Sequence, residues 1–458
     1  MSPAPLSART VTLKILTEWQ KHKHTASELL NQQLTHSDRP AMTTELVYGV
    51  IRNLDLLDHL VEKLAKIKIR HTQPHFLNLL RLGTWELVFT PQTADYAIIN
   101  EAADLAGKHS KQRGFVNAVL RSVQRAIHSR QELTAQSDAV CAIPLDEEFA
   151  CIFNQPILPD PKHDIVNYLS TLYSIPHWLI EIWTAAFGPD ATKQICIGSN
   201  RVPGVILQPN VLKTTAAKLF KALEAEAAGA KLSGDQTCLR LTSHRPLTDL
   251  WSFQQGLFIV QDPTAAKAAR ILAPPPGSVA VDLCAAPGGK TVQLAMLMEN
   301  QGRIIASDAD LHRLKKVDEN ARRLGIDIIK CVGPDEIKNA IGSKNKVHSV
   351  LLDVPCSNTG VMARRVEVRH RLTPQAVEQI AKVQNELLET AASLIRKHGH
   401  LLYSTCSILP DENEHRVRQF IQKHPEFRLV KEELTLPSVH TPHSIDHDGG
   451  YLALLKKE

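Results

Sequence analysis

At 458 residues the chain is too long for one ordinary domain and has the length for two to four. An apolar content of 43% supports real cores. No uncharged apolar run reaches membrane-spanning length, and Met1 to Arg9 lacks the apolar region of a secretory signal. The expectation is a soluble, cytoplasmic protein without a membrane partner. Net charge is +5, but residues 1–130 hold 17 Lys/Arg against 11 Asp/Glu, an excess of six, with eight histidines besides. For charge alone the ordinary reading is a solvated helical surface, and the alternative is a polyanion, nucleic acid first. None of the eight cysteines forms a C-x-x-C pair, so neither a metal site nor a disulfide framework is expected.

Residues 8 to about 128 read as helical throughout. Val11, Leu13, Ile15 and Leu16 begin a series of amphipathic segments that continues at 29–34, 47–52, 56–64, 76–85, 97–106 and 115–127. Pro40, Pro74 and Pro91 punctuate it, and a bundle of five to seven short helices is expected. Four stretches stand out: Val47-Tyr48-Gly49-Val50-Ile51-Arg52, Leu79-Leu80-Arg81-Leu82-Gly83-Thr84-Trp85-Glu86-Leu87, Ile99-Asn100-Glu101-Ala102 and Gly114-Phe115-Val116-Asn117-Ala118-Val119-Leu120-Arg121. Together they resemble the all-helical NusB-type domain over residues 1–130. That resemblance implies RNA binding, in the same direction as the basic excess.

Residues 131–163 turn polar and then proline-rich (Pro144, Pro156, Pro159, Pro161), and are expected to be a linker with at most a turn of helix. A small α/β module is expected at 164–252. Its parts are a helix with Pro176 in its first turn running to Phe187, strands at 205–209 and 238–241, and a helix around 216–228. From 253 to 458 strands alternate with helices, the sign of a parallel sheet under covering helices. Strands are expected at 279–283, 302–308, 326–332, 347–352, 400–404 and 451–455. Thr373 and Pro374 should open a long helix closed at Gly399. The fold class is multidomain: an all-α bundle, a small α/β module, then a Rossmann-like α/β domain.

That last domain is organised around Val281-Asp282-Leu283-Cys284-Ala285-Ala286-Pro287-Gly288-Gly289-Lys290-Thr291. An apolar strand breaks into a small-residue turn and reopens as a helix. Gly288 and Gly289 let a ligand approach the backbone, and N–H groups at a helix start favour an anionic group. A Gly-Gly turn alone is weak evidence. The next strand, however, ends at Asp308, 19 positions after Gly289, close to the spacing at which such folds place an acid on a ribose diol. A nucleoside-containing cofactor is the leading idea.

Two further strand ends carry cysteine: Asp353-Val354-Pro355-Cys356-Ser357-Asn358-Thr359-Gly360 and Ser404-Thr405-Cys406-Ser407. Open α/β sheets bind ligands at the carboxyl ends of their strands. One cysteine there is most often a packing residue; two, with a carboxylate three positions before one of them, form a constellation.

Cys284-Ala285-Ala286-Pro287-Gly288-Gly289-Lys290-Thr291, Asp353-Val354-Pro355-Cys356-Ser357 and Tyr403-Ser404-Thr405-Cys406-Ser407 resemble motifs of the RNA (cytosine-C5)-methyltransferases, a class I methyltransferase family. Gln261-Asp262-Pro263-Thr264-Ala265 is similar to the family's entry motif. With the NusB-like front end, the resemblance points to the bacterial group acting on 16S ribosomal RNA and covers nearly the whole chain, least clearly at 130–165. It implies S-adenosyl-L-methionine as cofactor, ribosomal RNA as partner, and a monomer.

The chemistry explains the residue types. A thiolate adding to C6 of cytosine gives C5 enamine character, so C5 can take a methyl group; an acid near N3 stabilises the adduct. The resemblance assigns Cys406 as the nucleophile, Cys356 to product release and Asp353 to N3 and the exocyclic amine. It assigns the backbone of Ala285, Ala286, Pro287, Gly288 and Gly289, with Lys290, to the methionine end of the cofactor, and counts Cys284 and Asp353 among the cofactor-binding residues. Asp308 falls to the ribose and Asp335 to the adenine.

Two places depart from the family pattern. Gly333-Pro334-Asp335 replaces a Gly-Asp pair, and Asp448-Gly449-Gly450-Tyr451 carries one glycine more before the aromatic. Arg364-Arg365 and Arg369-His370-Arg371 follow the Asp353 motif and read as a phosphate clamp, against the alternative of an exposed solubilising loop. Competing readings are a transfer RNA or large-subunit RNA substrate, a non-catalytic assembly factor, and an unrelated oxidoreductase. The last is disfavoured by the absence of G-x-G-x-x-G.

Overall fold

The structure, a computed structural model, describes residues 4–132, 139–146, 148–243, 245–342, 347–441 and 444–458. It divides into two compact units, Met1–Cys196 with Arg369–Arg371, and Ile197–Val368 with Leu372–Glu458. No helix among the described residues is long and apolar enough to cross a membrane.

The first unit opens with seven α-helices among the described residues, as the periodicity demands: Ala8–Trp19, Ala26–Gln33, Pro40–Arg52, Leu54–Ala65, Pro74–Phe89, Asp95–Leu105 and Ser110–Ala126. Thr25 and Glu28 form a capping box, and Pro40 and Pro74 occupy first turns, where their missing N–H costs nothing. The quoted motifs meet through glycine. A Cβ on Gly49 would lie 2.3 Å from Trp85, and one on Gly83 2.6 Å from Leu120. Helices that close leave no room for a side chain at either position. Leu79, Leu80, Ile98, Ile99, Val116 and Leu120 fill the core.

The stretch expected to be a linker differs. Ile127–Glu132, Ala142–Pro144 and Phe149–Phe153 pair as an antiparallel sheet with Phe149–Phe153 in the middle. Strands of three to six residues are too short to show a period. Residues 133–138 and 147 of that stretch lie outside the described residues. Helices Ile165–Tyr173 and His177–Phe187 follow, with Pro176 at the N-cap of the second.

Arg369–Arg371 belong to this first unit, and that overturns the phosphate clamp. Arg369 is fully buried and donates to the carbonyls of Arg52 (2.8 Å) and Tyr173 (2.9 Å). Burial pulls its pKa down to about 9. His370 Nε2 lies 2.7 Å from the carbonyl of Ile51, and burial lowers its pKa to about 3, so the ring is neutral and donates. Arg371 donates to the His24 carbonyl and lies over the Trp19 ring. These groups are tied to helix ends and cannot meet phosphates.

In the second unit, strands Ala230–Leu232, Leu239–Leu241, Val205–Pro209 and Phe258–Val260, in that order, form an antiparallel sheet. The helix Ala216–Ala225 covers one face through Leu219 and Leu223. The fourth strand lies beyond residue 252, where the module was expected to end. Gln208 and Arg240, on the other face, bond to Arg270 and Asp446.

The large sheet has the order Ile329–Val332, Arg303–Ser307, Val279–Asp282, Val347–Asp353, Ile395–Thr405, Gly450–Lys457, Phe427–Thr435. The first five are parallel, and Gly450–Lys457 runs against its neighbours. Near-continuous apolar strands such as Val350-Leu351-Leu352 are buried on both faces by helices, as a parallel sheet requires. Thr373 caps the helix Pro374–Leu394 and Pro374 opens it. That helix ends at Leu394, short of the expected close at Gly399, and strand begins at once at Ile395. Phe427–Thr435 lies where no strand was expected. It is an edge strand, half exposed and rich in charge, so it lacks the apolar signature of its neighbours.

Candidate active site

Register places the two cysteine loops side by side. Asp353 and Ser404 are paired neighbours at the ends of adjacent parallel strands. Cys356 lies three residues past the first and Cys406 two past the second, and their sulfurs are 2.9 Å apart. Buried hydroxyls stitch the loops together: Ser357 Oγ to Ser407 Oγ, and Thr359 Oγ1 to Ser407 Oγ, both 3.0 Å. Beneath them the fully buried Glu412 accepts from the Ser357 N–H (2.9 Å), the Ser357 hydroxyl and Gln384 Nε2 (3.0 Å). A carboxylate so placed is satisfied by donors on every side, which fixes the Cys356 loop.

The two thiols are not equivalent. Cys406 is half-buried and lines a pocket with Asp262, Thr264, Lys290, Gly450 and Tyr451. Its sulfur also lies 3.2 Å from Asn358 Oδ1, while Asn358 Nδ2 donates to the Cys356 carbonyl. Cys356 is buried. The hydrogen bond with Cys406, and then burial, push its thiol well above the ordinary value. Cys284 is also pushed up, chiefly by burial, and is a neutral packing thiol.

Asp353 is held by Lys290 Nζ at 2.6 Å and by Ser404 Oγ at 3.1 Å. Burial alone would lower the Lys290 pKa, but the Asp353 charge and hydrogen bond outweigh it, so the ammonium stays charged. Lys290 is thus turned to the carboxylate beside the two cysteine loops.

The cofactor turn is built by tethers. Thr291 Oγ1 donates to Asp282 Oδ2 (2.7 Å), linking the helix Gly289–Leu297 to the strand before it. Burial raises the Asp282 pKa to about 7. Asp308 Oδ2 accepts from the Ala286 N–H (3.0 Å) and Oδ1 from the Asp310 N–H (2.9 Å). Each oxygen keeps a lone pair for a hydroxyl donor, and the half-buried carboxylate stands beside a helix start. This pair of acceptor oxygens fits the hydroxyls of a ribose-bearing cofactor. Gly288 has φ +104, and a Cβ there would lie 3.0 Å from Val317 Cα, so helix packing by itself also calls for glycine at this position. Asp335 lies exposed in the single turn Pro334–Glu336, whose Glu336 accepts the Gly333 N–H (2.9 Å).

The extra glycine before Tyr451 has a physical reason. Three backbones converge at Cys406: Gly360 N–H donates to the Cys406 carbonyl (2.9 Å) and Gly449 N–H to the Gly360 carbonyl (2.7 Å). A Cβ on Gly360 would lie 2.6 Å from the Gly449 carbonyl carbon, and one on Gly450 2.9 Å from the Thr405 oxygen. Beside them Asp448 receives Arg201 (2.5 Å) and Arg364 (2.6 Å), and Asp446 receives Arg201 and Arg240. Arg364 is therefore spent on this buried network, and Arg365 is the exposed member of the expected clamp.

Sequence reasoning missed Asn358, Ser404 and Glu412 as site residues. Ser404 stands inside the quoted motif at 403–407 and could have been found there, but Glu412 arrives from a separate turn that no local pattern announces.

The sheet order, with one reversed strand near its edge and the site at the parallel strand ends, defines a class I methyltransferase. Comparison with known proteins narrows this. The family described as 16S rRNA methyltransferase RsmB/F matches residues 269–456, the NusB family matches 6–125, and the ferredoxin-like domain of RsmF/B-like methyltransferases matches 175–248. A probable ribosomal RNA small subunit methyltransferase B of Synechocystis sp. is 33% identical over 431 residues, covering 90% of each chain. Its counterpart in Bacillus subtilis is 30% identical and covers 99% of each. The crystal structure of the protein PH0851 covers 99% of each chain at 26% identity and a TM-score of 0.73. The chain belongs to the RsmB/F methyltransferase family.

Proposed function

We propose that the protein methylates C5 of a cytosine in 16S ribosomal RNA, in the cytoplasm and as a single chain, through a transient bond between Cys406 and C6. The observation that carries this is the pair of sulfurs 2.9 Å apart beside a Lys290–Asp353 ion pair. A methyltransferase acting on a ready nucleophile needs no cysteine at all; cytosine C5 needs one to attack and a second group to undo the bond. The names of the relatives supply the RNA, and the helical first unit accords with it.

S-adenosyl-L-methionine supplies a methyl group on an electrophilic sulfonium. Asp308 and the Ala285–Gly289 backbone would hold it, with Asp335 at the adenine end. Cys406 lines the pocket and is the more exposed of the two thiols, so it gives up its proton to solvent and attacks C6. Asp353 accepts from the exocyclic amine, and the charged Lys290 stands by as a proton source where negative charge gathers around N3. Cys356 waits as a thiol. Its strongest restraint is the hydrogen bond with Cys406, which ends once Cys406 is bonded to carbon. Cys356 can then lose its own proton to solvent and, as thiolate, take the C5 proton; the C–H electron pair restores the C5–C6 double bond and Cys406 leaves as thiolate.

Bisulfite sequencing of 16S RNA from cells with and without the gene tests the reading. One protected cytosine should lose protection in the deletion strain; an unchanged pattern would refute C5 methylation.

A further inference from the structure

The site chemistry draws on the second unit alone, yet the helical residues 1–130 of the first unit carry a basic excess of six. We propose that a groove on the helical unit, between residues 66–76 and the start of helix Ser110–Ala126, binds single-stranded RNA. It would stack a base against Phe115 and Phe76 and set the flanking phosphates on lysines. The inference rests on the ribosomal RNA reading for the identity of the polymer and adds the place where it is gripped.

The groove measures about 470 Å³ and is lined by Ile67, Lys68, His71, Thr72, Phe76 and Phe115. The charge map points to it. Residues 62–76 carry Lys63, Lys66, Lys68 and Arg70 against Glu62; residues 107–115 carry Lys108, Lys111 and Arg113 and no acid. Seven basic residues less one acid gives an excess of six, equal to the whole excess of residues 1–130. The first segment supplies all of the groove's lining except Phe115, which the second supplies.

Most of these cations are also uncommitted. Arg113 pairs with Asp104, but among the described residues Lys66, Lys68, Arg70, Lys108 and Lys111 have no side-chain ion pair or hydrogen bond. Glu62, the one acid, is occupied by the Ile69 N–H (3.0 Å).

The aromatic rings supply the second half of the recognition. Phe115 is 37% exposed, whereas Val116, Val119, Leu120 and Val123 of the same helix are buried. Lys111 precedes it by four residues and so shares its helix face. Phe76 is half-buried below, with His75 edge-on at 5.4 Å. Charge selects a polyanion, and a flat apolar floor selects one with free base faces. A duplex offers phosphates but keeps its bases stacked, so the fit is to a single strand.

The test uses the full-length protein and a fluorescein-labelled, unstructured RNA decamer of mixed uridine and cytidine, with anisotropy read over a salt series. Phe115→Leu keeps apolar bulk but loses the flat face and should bind about 10-fold more weakly; Phe115→Trp should bind as wild type. Lys68→Ala combined with Lys111→Ala should weaken binding and lower the log–log salt slope by about 1.4, at about 0.7 per phosphate contact. Melting temperature and S-adenosylmethionine binding should stay unchanged in all variants. Wild-type RNA binding by Phe115→Leu, or an unaltered slope in the double lysine variant, would overturn the proposal. Displacement of the RNA by polyglutamate as effectively as by unlabelled RNA would overturn it too, in favour of an acidic protein partner. The C5 reading is judged separately, by methyl incorporation into a short target RNA, so the two can fail independently.

Discussion

At the scale of single residues, the two cysteines look alike in sequence and differ in surroundings. Cys406 faces the pocket, while Cys356 is buried with its thiol held protonated. Cys406→Ala should therefore abolish turnover and leave no RNA adduct. Cys356→Ala should attack and methylate but release slowly, giving a slow-migrating protein–RNA band on a denaturing gel that the double variant loses. A band in Cys406→Ala and none in Cys356→Ala would reverse the roles. Asp282 offers a test by pH. Burial raises its pKa to about 7 in the folded protein, against about 3.9 unfolded. The folded state thus keeps a proton that the unfolded chain releases above pH 4, and stability is lost as pH rises from about 4 to 7. Asp282→Asn cannot ionise. Without cofactor, its melting temperature should match the wild type near pH 4 and exceed it increasingly up to pH 8, by the equivalent of a few kcal/mol. A constant difference across that range would show that Asp282 does not titrate there.

At the scale of elements, the site depends on backbones approaching too closely for side chains. Gly360→Ala would place a methyl 2.6 Å from the Gly449 backbone, which cannot swing aside as a flexible side chain can. We expect a loss of about 1–3 kcal/mol, read as a lower melting temperature, together with a large drop in methyl transfer as the Cys406 loop shifts. A melting temperature within error of the wild type would mean the crossing has slack. Such crossings also mark what sequence could and could not yield. The parallel strands were legible because burial on both faces makes them plainly apolar, and Asp353, Cys356 and Cys406 were legible because strand ends bind ligands. The Phe427–Thr435 edge strand and the small sheet at 127–153 were not, since half-exposed or very short strands leave no period to read. Lys290 was identified but its partner was not, because the Asp353 contact joins residues 63 positions apart. The basic run after Asp353 misled for a related reason: a pattern of charge does not say whether a guanidinium meets solvent or a buried carbonyl.

At the scale of the whole molecule, the residues of the candidate site all fall in one unit. Residues 284–290, 308, 353, 356 and 406 all lie in the second unit, and the basic helical residues 1–130 lie in the first. Removing residues 1–196 should then leave S-adenosylmethionine affinity within a few-fold of the full chain by calorimetry, since no cofactor residue is lost. Arg369 and His370 would lose their carbonyl partners, but a guanidinium returned to water is solvated and needs none. A cooperative melt of the truncated chain would confirm that its core is intact. Methylation should split by substrate. A short target oligonucleotide at high concentration should still be modified, because the chemistry is local. Full-length 16S RNA should be modified far less efficiently, through a raised KM more than a lowered kcat, because what has been removed is affinity for RNA outside the reacting base. Equal efficiency on long RNA with and without residues 1–196 would strip the first unit of any part in substrate recognition and leave its charge as a device for solubility.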